Sequence, residues 1–300
     1  MRMGPVGIWS GELRGAEEGA ARDAAAELDE LGFGALWIPG GAGGPIIETA
    51  GLMLDATRRT VVATGILNVW MHDAGEVARD HSRLTARHPG RFLLGLGVSH
   101  AMLVDSGGER RYGRPLAVME RYLDELDAAT PPVPVAERAL AALGPKMLAL
   151  AAARAAGAHP YLVTPDHTAL ARQVLGEGPL LAPELKVVVD RDPERARSVA
   201  RAHLGIYLGL PNYVNNLRRL GYAEEDFAEG GSNRLVDGVV AWGDLSAVDA
   251  RVRQHLDAGA DHVCIQVLGA DRATLPMAQW REIGATLTSY GSYPSYEGRG

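Results

Sequence analysis

Residues 61–72, VVATGILNVWMH, decide the fold. The first half is a β-branched apolar run with the density of a strand buried on both faces, and apolar chemistry breaks off at Thr64-Gly65 and again at Asn68 and His72. A strand that ends in a polar rim fits the carboxyl end of a parallel strand, where ligands of α/β proteins sit. Gly65 has no side chain to pack and no φ restriction, which suits a bulge or a close approach of backbone to ligand. A plain core strand with a glycine kink satisfies the same residues, so the surroundings must decide.

Working outward, strands are expected at residues 5–9, 35–38, 92–97, 139–143, 158–163, 184–189 and 262–268. Helical spacing falls between them, at residues 16–31, 46–57, 74–87, 115–128, 145–156, 165–175, 193–209 and 244–258, and again at 276–287, where Met277, Trp280, Ile283 and Leu287 share a face. Gly32 reads as a helix stop, and Asp192-Pro193 as an N-cap followed by proline at N1. Eight strands alternating with helices predict an α/β fold, a (β/α)8 TIM barrel, as one domain over residues 1–290. An insertion is expected before the last strand at about 211–237, and a mobile tail at 291–300. The alternative is an open doubly wound sheet. Against it, residues 9–15 carry no G-x-G-x-x-G, and no P-loop occurs in the chain.

Composition narrows the classes of function. The chain has 300 residues, 47% hydrophobic and 22% charged, and a net charge of −7 with arginine interspersed among the acids. That balance supports a large core and offers no basic stripe for nucleic acid. No apolar run reaches the roughly 18–20 residues of a membrane helix, and residues 1–12 hold no signal-peptide core, so the protein reads as cytoplasmic. Cys264 is the only cysteine and lies in HVCIQVL, where a buried, inert thiol is expected.

In a barrel the chemistry belongs at the strand ends. Those ends carry Trp9-Ser10, Pro39-Gly40-Gly41, the Gly65, Asn68, Trp70 and His72 set, Gly97-Val98-Ser99-His100, Gly144-Pro145-Lys146, and Tyr161 followed by Thr164-Pro165-Asp166-His167. Glycine, aromatics and histidine dominate and carboxylates are scarce, which suits a large flat ligand against backbone better than paired-acid hydrolysis or a hard metal. Gly144-Pro145-Lys146 and Thr164-Pro165 each open a helix with free N–H groups, and two adjacent helix N-termini can grip one phosphate. Ordinary loops with Thr164 as an N-cap are the competing reading. No histidine pair has the i, i+4 spacing of a helical zinc site, so no metal is expected. His81, His88, His203 and His255 read as surface or packing residues; His100, at a barrel mouth, can move a proton near neutral pH.

The stretches GFGALWIP (32–39), VVATGILN (61–68), RFLLGLGVSH (91–100), LGPKMLALAA (143–152) and DAGADHVCIQVL (257–268) together resemble the bacterial luciferase-like superfamily, specifically its deazaflavin (F420)-dependent oxidoreductases. The resemblance implies a (β/α)8 barrel, a homodimer, and a flavin or deazaflavin at the barrel mouth. It implies a non-proline cis peptide at Gly65-Ile66 facing the cofactor ring, and a phosphate grip of Gly144, Pro145 and Lys146 with Thr164 and His167. Asn68, Val98 and Ser99 join the cofactor set. His100 takes the place of a catalytic glutamate found in the sugar-phosphate dehydrogenases of the family. Those relatives carry an Asp-His pair where this chain has Pro39-Gly40, which argues against a glucose-6-phosphate-type substrate.

The expectation is therefore a hydride-transferring F420 enzyme acting on a small organic molecule, with His100 as acid or base and Trp9, Gly40, Trp70, His72 and Tyr161 shaping the substrate pocket. An FMN-dependent monooxygenase and a non-catalytic flavin-binding barrel are the alternatives, and the 99–113 and 211–237 loops are expected to set specificity.

Overall fold

The apolar runs become ten parallel strands of a single sheet in the computed structural model, which describes residues 1–41, 43–106, 111–269, 271, 274–286 and 290–298. In chain order they are β1 (Val6–Trp9), β2 (Ala35–Gly40), β3 (Val61–Asn68), β4 (Phe92–Gly97), β5 (Arg138–Leu140), β6 (Gly157–Ala158), β7 (Leu180–Leu181), β8 (Glu184–Val189), β9 (Val240–Gly243) and β10 (Val263–Val267). Their order in the sheet is β9-β8-β10-β1-β2-β3-β4-β5-β6-β7. Only Ala182 and Pro183 separate β7, at one end of that order, from β8 near the other. Main-chain bonds of 2.9 Å flank this step, Glu184 N–H to Pro160 O on one side and Cys264 N–H to Pro183 O on the other.

Strand alternation sorts side chains onto two buried faces. Leu36, Ile38, Val62, Leu94, Leu140 and Ile265 pack under the helices. Ala35, Trp37, Val61, Ala63, Leu93 and Cys264 share a second cluster on the inner face. Trp37 of β2 stacks on His159, just past β6, with ring centroids 4.3 Å apart, so strands four places apart in the sheet order face each other and the sheet is curled. Small residues at 35, 63 and 139 leave room for the indole. The buried Asp29 carboxylate accepts the N–H groups of Arg58, Arg59 and Thr60 (3.2, 3.0 and 2.8 Å) and fixes the entry to β3. Cys264 is buried, and burial pushes its thiol well up, in keeping with an inert group.

Several expected boundaries shift for local reasons. The strand expected at 158–163 is only Gly157–Ala158, because Pro160 offers no ladder N–H and Leu162 turns left-handed at φ 58°. The 211–237 excursion is helical rather than open: Pro211–Arg219, a 3-10 turn at Glu224–Gly230 and Asn233–Val239 lead into β9, which the sequence reading missed. This insertion packs on helix Pro193–Tyr207 through a core of its own, including Ala200, Leu204, Leu217, Leu235 and Val236. A short helix, Ala101–Val104, also interrupts the loop expected at 99–113. The last helix is Met277–Gly284, and Leu287 lies outside the described residues. Within the expected tail, Tyr296–Glu297 pairs antiparallel with Arg2–Met3 and Tyr296 is buried.

The interior histidines are neutral by construction. His262 Nε2 accepts from Trp37 Nε1–H (3.2 Å) while its Nδ1–H donates to Gly4 O (2.5 Å), and His159 Nδ1–H donates to Ala182 O (2.7 Å). Burial lowers His159 and His262 to about 4, and His255 to about 3. An unfolded histidine titrates near 6.5, so from about pH 6.5 down to about 4 the unfolded chain binds more protons and stability falls with pH. Urea unfolding from pH 7 to pH 4.5 is expected to show the midpoint dropping throughout, with each buried histidine contributing at most about 1.4 kcal/mol per pH unit.

Candidate active site

At the carboxyl end of β3 the ladder breaks. Pairing shifts register between Ile38 and Gly40 on the β2 side and between Ala63 and Leu67 on the β4 side, and the Gly65-Ile66 peptide between them is cis, as the sequence resemblance implied. Three glycines make room for this bulge. A Cβ at Gly95 would meet Thr64 O at 1.9 Å, one at Gly97 would meet Ile66 Cδ1 at 2.5 Å, and one at Gly40 would meet Ile66 O at 2.9 Å. Trp9 Nε1–H donates to Gly65 O (3.0 Å), and Thr64 Oγ1–H donates to Gly95 O (2.7 Å).

The bulge lines a cavity of about 460 Å³, a size suited to an organic ligand. Of the residues singled out in the sequence, Gly65, Ile66, Val98, Ser99, His100 and Gly144 meet there, and Trp9 and Tyr161 join them. Ser99 adopts φ 54°, a left-handed turn that carries the chain from β4 into the cavity wall. Burial pushes the His100 imidazole below its ordinary range, and the Asn212 side chain bonds to the ring and partly opposes that. Its Nδ1 is buried without a partner.

The other expected pocket residues are placed elsewhere. His72 lies in a separate depression with Glu48, Asp73 and Asp80. Trp70 uses its indole N–H on Val98 O (2.9 Å) and braces the cavity from behind. Asn68 is buried as a clamp, donating to Gly41 O (3.0 Å) and accepting from Trp70 N–H (3.1 Å). Gly40 seats the bulge carbonyl, and its neighbours Pro39 and Gly41 reach the cavity. Thr164 is an N-cap, accepting from His167 N–H (3.3 Å), and His167 Nε2–H donates to Leu143 O (2.9 Å). Pro145 and Lys146 are exposed on the helix that Gly144 opens, outside the cavity lining, and an Arg219 nitrogen lies 3.6 Å from where a Gly144 Cβ would stand. Among the described residues no group of three histidine, cysteine or acidic side chains could hold a metal.

Sequence reasoning missed the polar support of the cavity. Glu184 and Lys186 point inward from β8 as a fully buried ion pair, with Lys186 Nζ 2.9 and 3.0 Å from the carboxylate oxygens. The ammonium lies 3.6 Å from the Tyr161 ring centroid, and Glu184 also accepts the N–H of the left-handed Leu162 (3.2 Å). Tyr161 O–H donates to Gln266 Oε1 (2.8 Å), so the Tyr207 hydroxyl, 2.9 Å away, donates to Tyr161. Tyr207 and Tyr213 reach the cavity with Asn212 from the end of helix Pro193–Tyr207 and the start of Pro211–Arg219. The available signal was Lys186 itself, one of two lysines, in the otherwise apolar run KVVV.

A family model described as luciferase-like monooxygenase matches residues 7–262. No curated protein matches the chain. Among solved structures, an F420-dependent secondary alcohol dehydrogenase in complex with an F420-acetone adduct superposes with TM-score 0.72 at 14% identity, covering 97% of this chain and 99% of that one. The coenzyme F420 dependent tetrahydromethanopterin reductase from Methanopyrus kandleri gives 0.71 at 16% identity, with 94% and 97% covered. The oxygenating constituent of 3,6-diketocamphane monooxygenase from Pseudomonas putida, in complex with FMN, gives 0.69 at 13%, with 97% and 98% covered. At these identities the likeness is one of fold.

Removing one partner of the buried pair strands the other charge. Lys186→Met is expected to lower unfolding free energy in urea by about 3–5 kcal/mol, and the Glu184→Gln/Lys186→Met double variant to recover most of that loss.

Proposed function

Because the chain belongs to the luciferase-like monooxygenase family, we propose that it is an F420-dependent oxidoreductase moving a hydride between the deazaflavin C5 and an organic substrate. The observation that carries this reading is the convergence of the Gly65-Ile66 bulge, the Val98-Ser99-His100 turn and Gly144 on one cavity at the strand ends. The two F420-dependent neighbours support F420; the FMN-bound neighbour supports a monooxygenase as the second reading. The same reading takes the curled sheet as a closed (β/α)8 barrel, with the two-residue step between β7 and β8 as its seam, and the protein as a cytoplasmic homodimer.

The residues present fit such a group. Main chain at Gly65, Gly97 and Gly144 lines the wall where a flat ring would lie, and the buried, unpartnered His159 Nε2 offers a lone pair to a ring N–H. Its tautomer is fixed, because the Nδ1–H is committed to Ala182 O. Beyond the ring, the helix start at Gly144, the N-terminus capped by Thr164, and the side chains of Lys146 and Arg219 form a phosphate grip, with His167 bracing it through Leu143 O and Arg219 supplied by the insertion. The deazaflavin, when bound, supplies two-electron hydride chemistry. His100, held neutral by burial, takes the proton of a substrate hydroxyl during oxidation and returns it during reduction. Trp9 and Tyr161, tilted with centroids 5.4 Å apart, exclude water from that side.

Titration with F420 and with FMN is the direct test. Saturable F420 binding that weakens with salt and with Lys146→Ala or Arg219→Ala is expected, and tight FMN binding without F420 binding would overturn the lead. His100→Ala should slow single-turnover hydride transfer by about 10²–10⁴-fold with little change in F420 affinity. Oxidation by the native protein should show an acid limb below the ordinary histidine range, absent in the variant; unchanged turnover would remove His100 from the mechanism.

A further inference from the structure

Two short segments stand over the cavity mouth. Ile206, Tyr207, Leu210 and Tyr213 face it from the junction of helices Pro193–Tyr207 and Pro211–Arg219, and Met102 and Leu103 face it from helix Ala101–Val104. Met102, Leu103 and Ile206 are 58%, 37% and 55% exposed, so the rim presents large apolar side chains to solvent. Exposed apolar surface gathered around one opening is surface that a bound molecule covers.

The polar groups of the wall are mostly committed to one another. Tyr112 O–H donates to Ser99 O (3.3 Å), Tyr207 and Tyr161 form a chain ending on Gln266, and Asn212 bonds to His100. Among the described residues lining the cavity there is no aspartate, glutamate, lysine or arginine. The buried cation, Lys186, lies behind the Tyr161 ring and is neutralised by Glu184. A carboxylate or phosphate brought into this space loses its hydration and gains no counter-charge from the described lining residues. An uncharged ring or alkyl body instead meets Met102, Leu103, Ile206, Leu210 and the Tyr213 ring, whose centroid lies 5.3 Å from that of His100.

We propose that the substrate is an uncharged, predominantly apolar molecule bearing a single hydroxyl or carbonyl directed at His100, and that residues 206–213 select it. This rests on the cofactor reading above. The charged phosphate grip then serves the cofactor alone, and the roof supplied by the insertion decides which molecule is held beneath it.

Equilibrium dialysis separates the two readings. The protein is dialysed with F420, and F420 retention is measured first. Acetophenone and its para-carboxylate are then compared on the F420-loaded protein. Retention of acetophenone at least about tenfold tighter than of the carboxylate is expected. Equal or tighter retention of the carboxylate, or retention of neither, overturns the substrate class while leaving the cofactor reading intact. Loss of F420 retention itself counts against the cofactor reading, and the proposal falls with it. Ile206→Arg places a cation at an exposed rim position that the fold tolerates, and should shrink the preference for acetophenone by about threefold or more. An unchanged ratio in that variant overturns the role given to residues 206–213.

Discussion

The absence of a Cβ at position 95 is the constraint on which the upper half of the molecule depends. Thr64 O occupies the space that any other residue at 95 would fill, and Gly97 and Gly40 yield in the same way to the Ile66 side chain and carbonyl. The β3 bulge is therefore a property of four neighbouring strands, with Gly40 of β2 giving room to its carbonyl. It is held from β1 by the Trp9 indole and from β4 by the absence of side chains. Main chain at 65 and 66 lines the cavity, and the space that a side chain at 65 would take is filled by the Trp9 indole and approached by His159, so this part of the wall is backbone and aromatic rings.

Inside the curl, charge is handled by enclosure. Glu184 and Lys186 sit on one face of β8, two residues apart, and satisfy each other while the ammonium rests on the Tyr161 ring. Burial pushes Glu184 up and Lys186 down, and their mutual attraction pulls each back. Such a pair is poor evidence of net stability, since its desolvation offsets much of its Coulomb energy. Its value is geometric: the carboxylate holds the N–H of Leu162, and the left-handed turn there aims Tyr161 at the cavity while Gln266 and Tyr207 fix its hydroxyl.

Much of this was legible in the sequence, and the boundary is physical. Alternating strand and helix periods depend on neighbours along the chain, so eight of the ten strands, though not all of their bounds, the Gly32 stop and the Asp192-Pro193 start could be read directly, while the short strands at Leu180–Leu181 and Val240–Gly243 were not. Gly65 was read as a bulge or close approach, whereas Gly95 and Gly97, which make room for it, drew no such reading because what they yield to lies on the neighbouring strand. Where Trp70 and His72 would lie relative to the cavity was not legible because it depends on remote partners: Trp70 turns to Val98, and His72 falls into a different depression. His159 and Lys186 were underrated for the same reason, since their roles depend on Trp37, Ala182, Glu184 and Tyr161 across the interior. The insertion misled differently. Its asparagines and glycines hid the apolar spacing of Tyr213, Val214 and Leu217, so a helix read as an open loop.

The ribbon of Arg2–Met3 with Tyr296–Glu297 works as a clasp. It joins the first and last described elements beside the amino end of β1, away from the cavity, and sets Met3 and Tyr296 into the inner-face cluster. Two segments almost three hundred residues apart are fastened by one contact, so neither can lift from the inner-face cluster without opening it, and local opening at residues 2–3 is coupled to local opening at residues 296–297.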